Sequence, residues 1–237
     1  MHTLKDARVL IVGGSSGIGF AVAAQAAAAG ATVTIASRSK AKLEEAQSTL
    51  DQGVDAVELD TADEAAVEHF FTASAPWDHI VVSAAQTPSG PVRSLPLADA
   101  KAAMDSKFWG AYRIARAARI KEGGSLTLVS GLLSARPSAT AVLQGAINAA
   151  LEALARGLAL ELAPVRVNVV SPGLIDTPLW SRLSDDKRDA MFAGAAQRLP
   201  AGRVGRPEDI ANAVMFLLTT PFATGSTVRV DGGGAIA

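Results

Sequence analysis

A doubly wound α/β fold, a parallel sheet with helices on both faces, is what this sequence predicts, and three observations predict it. Strand-like and helix-like segments alternate from end to end, the pattern that builds parallel sheets covered by crossover helices. The 237 residues are 49% hydrophobic, enough for a large buried core. A glycine-rich turn, Gly13 to Gly19, follows the first apolar run directly and opens an alanine-rich helical run. The length alone also allows two small domains. No linker, low-complexity tract or repeat divides the chain, so one domain over residues 1–237 is expected.

The elements follow in order. Arg8 to Val12 is a short apolar strand and Gly17 to Ala29 a helix; Thr32 to Ala36 alternates as a strand before an exposed helix from Lys40 to Leu50. Val54 to Leu59 reads as the third strand, with a helix near Asp63 to Thr72. His79 to Ser83 is apolar and β-branched, which suits a strand buried on both faces. A long helix is expected over Ala98 to Ile120, then a strand over Ser125 to Val129. A second long helix spans Thr140 to Leu162 before a strand at Arg166 to Val170. A helix near Glu208 to Leu218 and a strand near Thr227 to Val230 close the chain. The charged segment Pro178 to Pro207 breaks the rhythm just after a strand end. Insertions at the carboxyl edge of such a sheet cover ligands, so a substrate-side lid is expected there.

Bulk properties narrow the function. Cysteine is absent, which excludes disulfides and thiolate chemistry and fits a cytoplasmic setting. The first residues lack the order of a secretory signal, and no apolar stretch reaches the length of a membrane span. A net charge of −1 gives no global pull toward nucleic acid or anionic lipid. Arg113, Arg116 and Arg119 recur every third residue, followed by Lys121. They read as a solvated or ion-paired helix face, or as one answered by Glu152 or Glu161 of a partner subunit. The partner expected is a small molecule, with no nucleic acid, no membrane and no metal.

Gly13, Gly17 and Gly19 have the spacing G-x-x-x-G-x-G between a strand and a helix. Glycine lets the chain turn sharply and lets a phosphate approach the backbone, while the helix N-terminus offers N–H groups to the anion. Ser15 and Ser16 add hydroxyl donors, and Ile18 completes the motif. The second strand ends in Ser37 and Arg38, where an NAD-specific site places an acid. A guanidinium suits a 2′-phosphate, so NADP(H) is the expected cofactor.

These residues resemble the short-chain dehydrogenase/reductase family. The likeness includes Gly13 to Gly19, Leu59-Asp60-Thr61, V-R-V-N-V-V-S-P-G from Val165 to Gly173, Ile175 and Thr177, G-R-V-G-R-P-E-D-I from Gly202 to Ile210, and the closing V-D-G-G. The resemblance implies a seven-stranded parallel (Rossmann) sheet and a homo-oligomer, a tetramer or dimer, built through the two long helices. It implies that Asp60 bonds the adenine amino group, that Thr61 lines that pocket, and that Ile175 and Thr177 meet the nicotinamide carboxamide. Pro172 and Gly173 join these cofactor contacts. The stretch bordering the cofactor, usually N-N-A-G, reads Val82-Ser83-Ala84-Ala85.

The family's chemistry uses Asn, Ser, Tyr and Lys. Located from flanking residues, those positions hold Lys107, Gly131 beside Ser130, Gln144 and Asn148. The only tyrosine is Tyr112, and no lysine lies between Lys121 and Lys187. Glutamine has no usable proton near neutral pH. His2, His69 and His79 lie at the N-terminus, on the third helix and before the fourth strand, away from the site. Protonation therefore falls to Lys107, Ser130 or an ordered water. Asparagine has become lysine at 107 and lysine asparagine at 148. Either the pair has exchanged places, keeping an ammonium near the nicotinamide ribose, or the site has decayed and Lys107 fills a hole or faces solvent. Leu132, Leu133, Gln144, Leu179 and Trp180 are the expected pocket walls, whereas Trp109 and Tyr112 read as packing residues. The expected function is an NADP(H)-dependent oxidoreductase acting on a small, fairly apolar carbonyl, enone or imine. A non-catalytic NADP(H)-binding sensor or structural subunit, and an isomerase or lyase that uses bound cofactor as scaffold, stay open.

Overall fold

The apolar runs pair into a seven-stranded parallel sheet in a computed structural model that describes residues 3–50 and 53–237. The strands are β1 (Arg8–Val12), β2 (Thr32–Ser37), β3 (Asp55–Glu58), β4 (Trp77–Val82), β5 (Ile120–Val129), β6 (Arg166–Pro172) and β7 (Thr227–Val230), in the order β3-β2-β1-β4-β5-β6-β7. The order reverses between β1 and β4, and in open α/β sheets the crevice at that point is where ligands bind.

Successive side chains on a strand point to opposite faces, and the two halves of the core show it. Val9 and Ile11 pack on one face with helices α1 (Gly17–Ala28), α2 (Lys40–Thr49) and α8 (Pro207–Thr219). Leu10 and Val12 pack on the other with α3 (Glu64–Ala73), α5 (Gly110–Ala117) and α6 (Val142–Glu161). Two more helices, α4 (Leu97–Met104) and α7 (Asp185–Arg198), lie nearer the surface, each with one buried residue. Among the described residues no helix is long and apolar enough to cross a membrane.

Three expectations need correction. The helix expected over 98–120 is not uniform: α4 passes into a π-helical turn, Asp105–Trp109, before α5, which ends at Ala117. Strand β5 starts at Ile120 rather than Ser125, because Ile120 pairs with Trp77 ahead of a register shift that ends at His79↔Ser125. The same pairing brings His79 inside β4 instead of before it; His2 lies outside the described residues. The basic face is answered within the chain. Arg113 meets Asp105 at 2.6 Å, Arg116 meets Glu64 and Glu68, and Lys121 meets Asp78 at 2.9 Å. Glu152 does not serve there: it bonds Ser130 and Ser134.

The amino edge of the sheet is held by Arg166, 6% exposed. Its guanidinium donates to Leu217 O at 2.7 Å, Leu218 O at 3.0 Å and Ala223 O at 3.1 Å, which satisfies carbonyls at and beyond the end of α8. Burial, reinforced by that guanidinium, holds the His79 imidazole down to a pKa of about 4, so it stays neutral against Ser125 Oγ at 2.8 Å. Arg166→Met keeps the stem and removes the donors. Leaving the carbonyls unpaired should cost about 2–4 kcal/mol, read as a lower urea midpoint with an unchanged slope.

Candidate active site

The glycine turn is shaped by close backbone approach. A Cβ at Gly13, whose φ is +90°, would lie 2.5 Å from Ala84 N, and one at Gly19 would lie 2.2 Å from Gly13 O and 2.6 Å from Ser83 Oγ. The turn therefore rests on the end of β4. Ser83 N and Ala84 N both donate to Val12 O, at 2.9 and 3.1 Å, and Ser83 Oγ reaches Val12 O and Gly13 O at 3.3 and 3.4 Å. Ala85 follows on the exposed side. Ser16, at the N-cap of α1, makes no side-chain cap, so the first N–H groups of that helix remain open to an anion. Ile18 packs against the core below.

Other segments converge on this turn. Ser15 Oγ donates to Ser37 Oγ at 3.0 Å, which ties the turn to the end of β2. Arg38 follows, exposed and, among the described residues, without an ion pair. Asp60 takes Ala62 N on one oxygen at 3.0 Å, and Thr61 beside it is buried. From the end of β6, Pro172 is buried and Gly173 N donates to Val230 O at 3.0 Å. The chain then brings Thr177 within 3.4 Å of the Cβ position of Gly17. Ile175, 6% exposed, bridges to Gly205. Segment 178–207 folds into a short turn at Pro178–Trp180 and then α7. It is tied down where Trp180 Nε1 donates to Ile175 O at 2.9 Å and Ala201 N to Gly232 O at 3.0 Å.

Lys107 sits inside the π-helical turn and points inward, not to solvent. Its Nζ donates to Ser130 O and to Asn148 Oδ1, both at 2.7 Å. Burial pulls its pKa from 10.5 to about 8, against the raising field of Glu152. An ammonium has three N–H donors and a neutral amine two. Both anchoring bonds therefore survive loss of the third proton, and Lys107 can exchange that proton without repacking.

The remaining positions are committed differently. Ser130 Oγ donates to Glu152 Oε1 at 2.9 Å, and Ser134 Oγ to the same oxygen at 2.6 Å. Gln144 Nε2 donates to Thr87 O at 3.3 Å and to Pro88 O, while its Oε1 is buried without a partner. A side chain at Gly131 would meet Asn148, with Cβ 2.8 Å from Nδ2. Lys107 and Asn148 thus touch, Ser130 joins them through its backbone oxygen, and Gln144 is tied to the 87–88 loop. Sequence reasoning missed the role of Glu152 in this cluster. The available signal was its place four residues after Asn148 on α6, which puts both on one face.

The chain belongs to the short-chain dehydrogenase/reductase family and is an oxidoreductase of that type. A family model described as enoyl-(acyl carrier protein) reductase matches residues 12–234. The short-chain dehydrogenase/reductase ATR9 of Stachybotrys chlorohalonatus is 35% identical over 98% of both chains. A small-chain dehydrogenase crystallised in complex with NADPH superposes with a TM-score of 0.82 at 35% identity, over 98% of this chain and 100% of that one. The MalC reductase/Diels-Alderase of Malbranchea aurantiaca gives 0.90 at 28% identity, over 99% of this chain and 98% of that one.

Proposed function

We propose that this protein is an NADP(H)-dependent reductase of a small, fairly apolar carbonyl, enone or imine, working through a centre in which Lys107 and Asn148 have exchanged the places of the family's asparagine and lysine and Lys107 serves as the acid. The observation that carries this reading is the inward Lys107 ammonium, held at 2.7 Å by both Ser130 O and Asn148 Oδ1. The turn fits the cofactor: Gly13 and Gly19 let it close tightly on itself and on the end of β4, and the uncapped start of α1 leaves its first N–H groups for an anion. When bound, NADPH supplies the hydride. Arg38 would hold the 2′-phosphate, Asp60 would accept from the adenine amine beside Thr61, and Ile175 and Thr177 would hold the carboxamide. Lys107 keeps its charge near the nicotinamide ribose and gives its third proton, the one not held by Ser130 O and Asn148 Oδ1, to the reduced substrate oxygen or nitrogen. Leu132, Leu133, Leu179 and Trp180 wall the pocket, and segment 178–207 covers it and excludes water. The chain acts as one domain in the cytoplasm and assembles as a dimer or tetramer. The Trp109–Tyr112 pair, 45% and 42% exposed where the π-helical turn passes into α5, supports assembly.

NADPH and NADH titrations followed by fluorescence test the cofactor half. Wild type should bind NADPH in the micromolar range, and Arg38→Ala should weaken NADPH by about 10–100-fold, the value of a charge-assisted hydrogen bond, with NADH unchanged. Equal loss for both nucleotides would remove the 2′-phosphate role; no binding of either would remove the reductase. A second reading, a non-catalytic NADP(H)-binding sensor or structural subunit, is favoured by the commitment of Ser130 Oγ to Glu152 and of the Gln144 amide to the loop. It predicts tight binding without turnover on any carbonyl, enone or imine.

A further inference from the structure

We infer that Gln144 is a specificity-determining residue whose free carbonyl oxygen receives an N–H or O–H donor carried by the substrate beside its reducible double bond. The inference rests on the reductase reading above and narrows its substrate class.

The orientation of the Gln144 amide is fixed by its surroundings. Nε2 faces two backbone carbonyls, Thr87 O and Pro88 O; a flipped amide would set its oxygen against both. Oε1 is therefore the end left over, and it is buried with no partner in a residue only 9% exposed. Buried acceptors without a partner are costly and uncommon, so this one calls for a donor. Among the described residues none bonds it. Ser130 Oγ and Ser134 Oγ are turned to Glu152, Gly131 has no side chain, and Lys107 Nζ is held by Ser130 O and Asn148 Oδ1. Gln144 is one turn before Asn148 on α6, which sets it beside the Lys107 cluster.

Helix α6 thus carries an acceptor, Gln144 Oε1, one turn before the Asn148 that holds Lys107, whose third N–H is a donor. A substrate meets both when it carries its own N–H or O–H within a bond or two of its C=O or C=N. In the reduction, hydride from NADPH forms the new C–H bond, the π pair moves to the oxygen or nitrogen, and Lys107 protonates it. NADPH becomes NADP⁺, and the amine regains its proton from water. The substrate donor stays on Gln144 throughout and takes no part in the electron balance.

A matched probe pair tests this without identifying the natural substrate. Isatin carries a ring N–H one carbon removed from its ketone, across the lactam carbonyl, and N-methylisatin keeps the ketone and lacks the donor. Affinity for the wild-type protein–NADP⁺ complex, where no reduction occurs, should be at least about tenfold higher for isatin, because a site built to bond a donor rejects the analogue lacking it. In the NADPH complex, KM should separate by the same factor with similar kcat. Gln144→Met should bring the ratio to about one by weakening isatin alone; if that variant misfolds through loss of its loop tie, the wild-type ratio still decides. Equal affinity for the two probes, or none for either, overturns the inference. NADPH oxidation by N-methylisatin in that event leaves the reductase reading standing, whereas failure to bind NADPH overturns both.

Discussion

Lys107→Met should abolish NADPH-dependent turnover, by about 10²–10⁴-fold in kcat, the usual worth of a positioned acid. Methionine keeps the length of the side chain and fills its channel, but it removes the charge and all three donors. Ser130 O and Asn148 Oδ1 lose their partner, while the glycine turn and Arg38 are untouched. NADPH affinity should therefore fall by no more than about tenfold, the share of the lost positive charge near the ribose. The pH dependence has a definite sign. The Lys107 pKa is depressed from 10.5 to about 8, and the protonated form is the acid. Reduction should be flat below that value and decline about tenfold per pH unit above it. The reverse oxidation should rise with pH to the same point. Stability runs the same way as the oxidation. Between about 8 and 10.5 the unfolded chain binds more protons at this group, so the fold gains stability as pH rises through that window. A kcat profile flat to pH 10 for wild type, or turnover unchanged in Lys107→Met, would remove the ammonium from the chemistry.

Gly19→Ala should eliminate nucleotide binding, with more than about 100-fold loss of NADPH affinity. The new methyl would stand 2.2 Å from Gly13 O, which belongs to the turn proposed to cradle the phosphates, and 2.6 Å from Ser83 Oγ. Neither the backbone oxygen nor the β4 end can give way without opening the turn. Forced overpacking of this kind also costs about 1–3 kcal/mol of stability, so the melting temperature without nucleotide should drop. Gly157→Ala is the matching control. Gly157 lies inside α6 with nothing within 4 Å of its Cβ position, so the same change should add about 0.5–1 kcal/mol through helix propensity and leave NADPH binding alone. Undiminished affinity in Gly19→Ala would refute the cradle.

What could be read without coordinates depended on how local the cause was. The glycine turn is legible because strand, turn and helix are adjacent in sequence and each demands its residue type within a few positions. The residue types at 107 and 148 are legible because flanking residues fix both positions, but that their side chains meet, at 2.7 Å, is decided by the fold. The start of β5 is not legible: Lys121 to Gly124 reads as loop, and pairing of Ile120 with the distant Trp77 overrides that local preference. The direction of Gln144 is hidden for the same reason, since it is decided by the carbonyls of Thr87 and Pro88, more than fifty residues earlier. The π-helical turn is hard to read from an apolar period, because the one-residue phase shift that its extra residue makes falls between two helices of only eight residues each.

That extra residue has a consequence for how such a centre can vary. The far side of the helix is pinned by Ala111, Ile114 and Ala115 in the core. The single added residue between Asp105 and Trp109 sets how far Lys107 is rotated toward Ser130 and Asn148. Each residue of an α-helix accounts for about 100° of rotation. Loss of one codon from this stretch could thus swing the ammonium off its two oxygens with every residue type still present. In this helix, length acts as a gene-level adjustment of the active site, one that a comparison of residue identities alone would overlook.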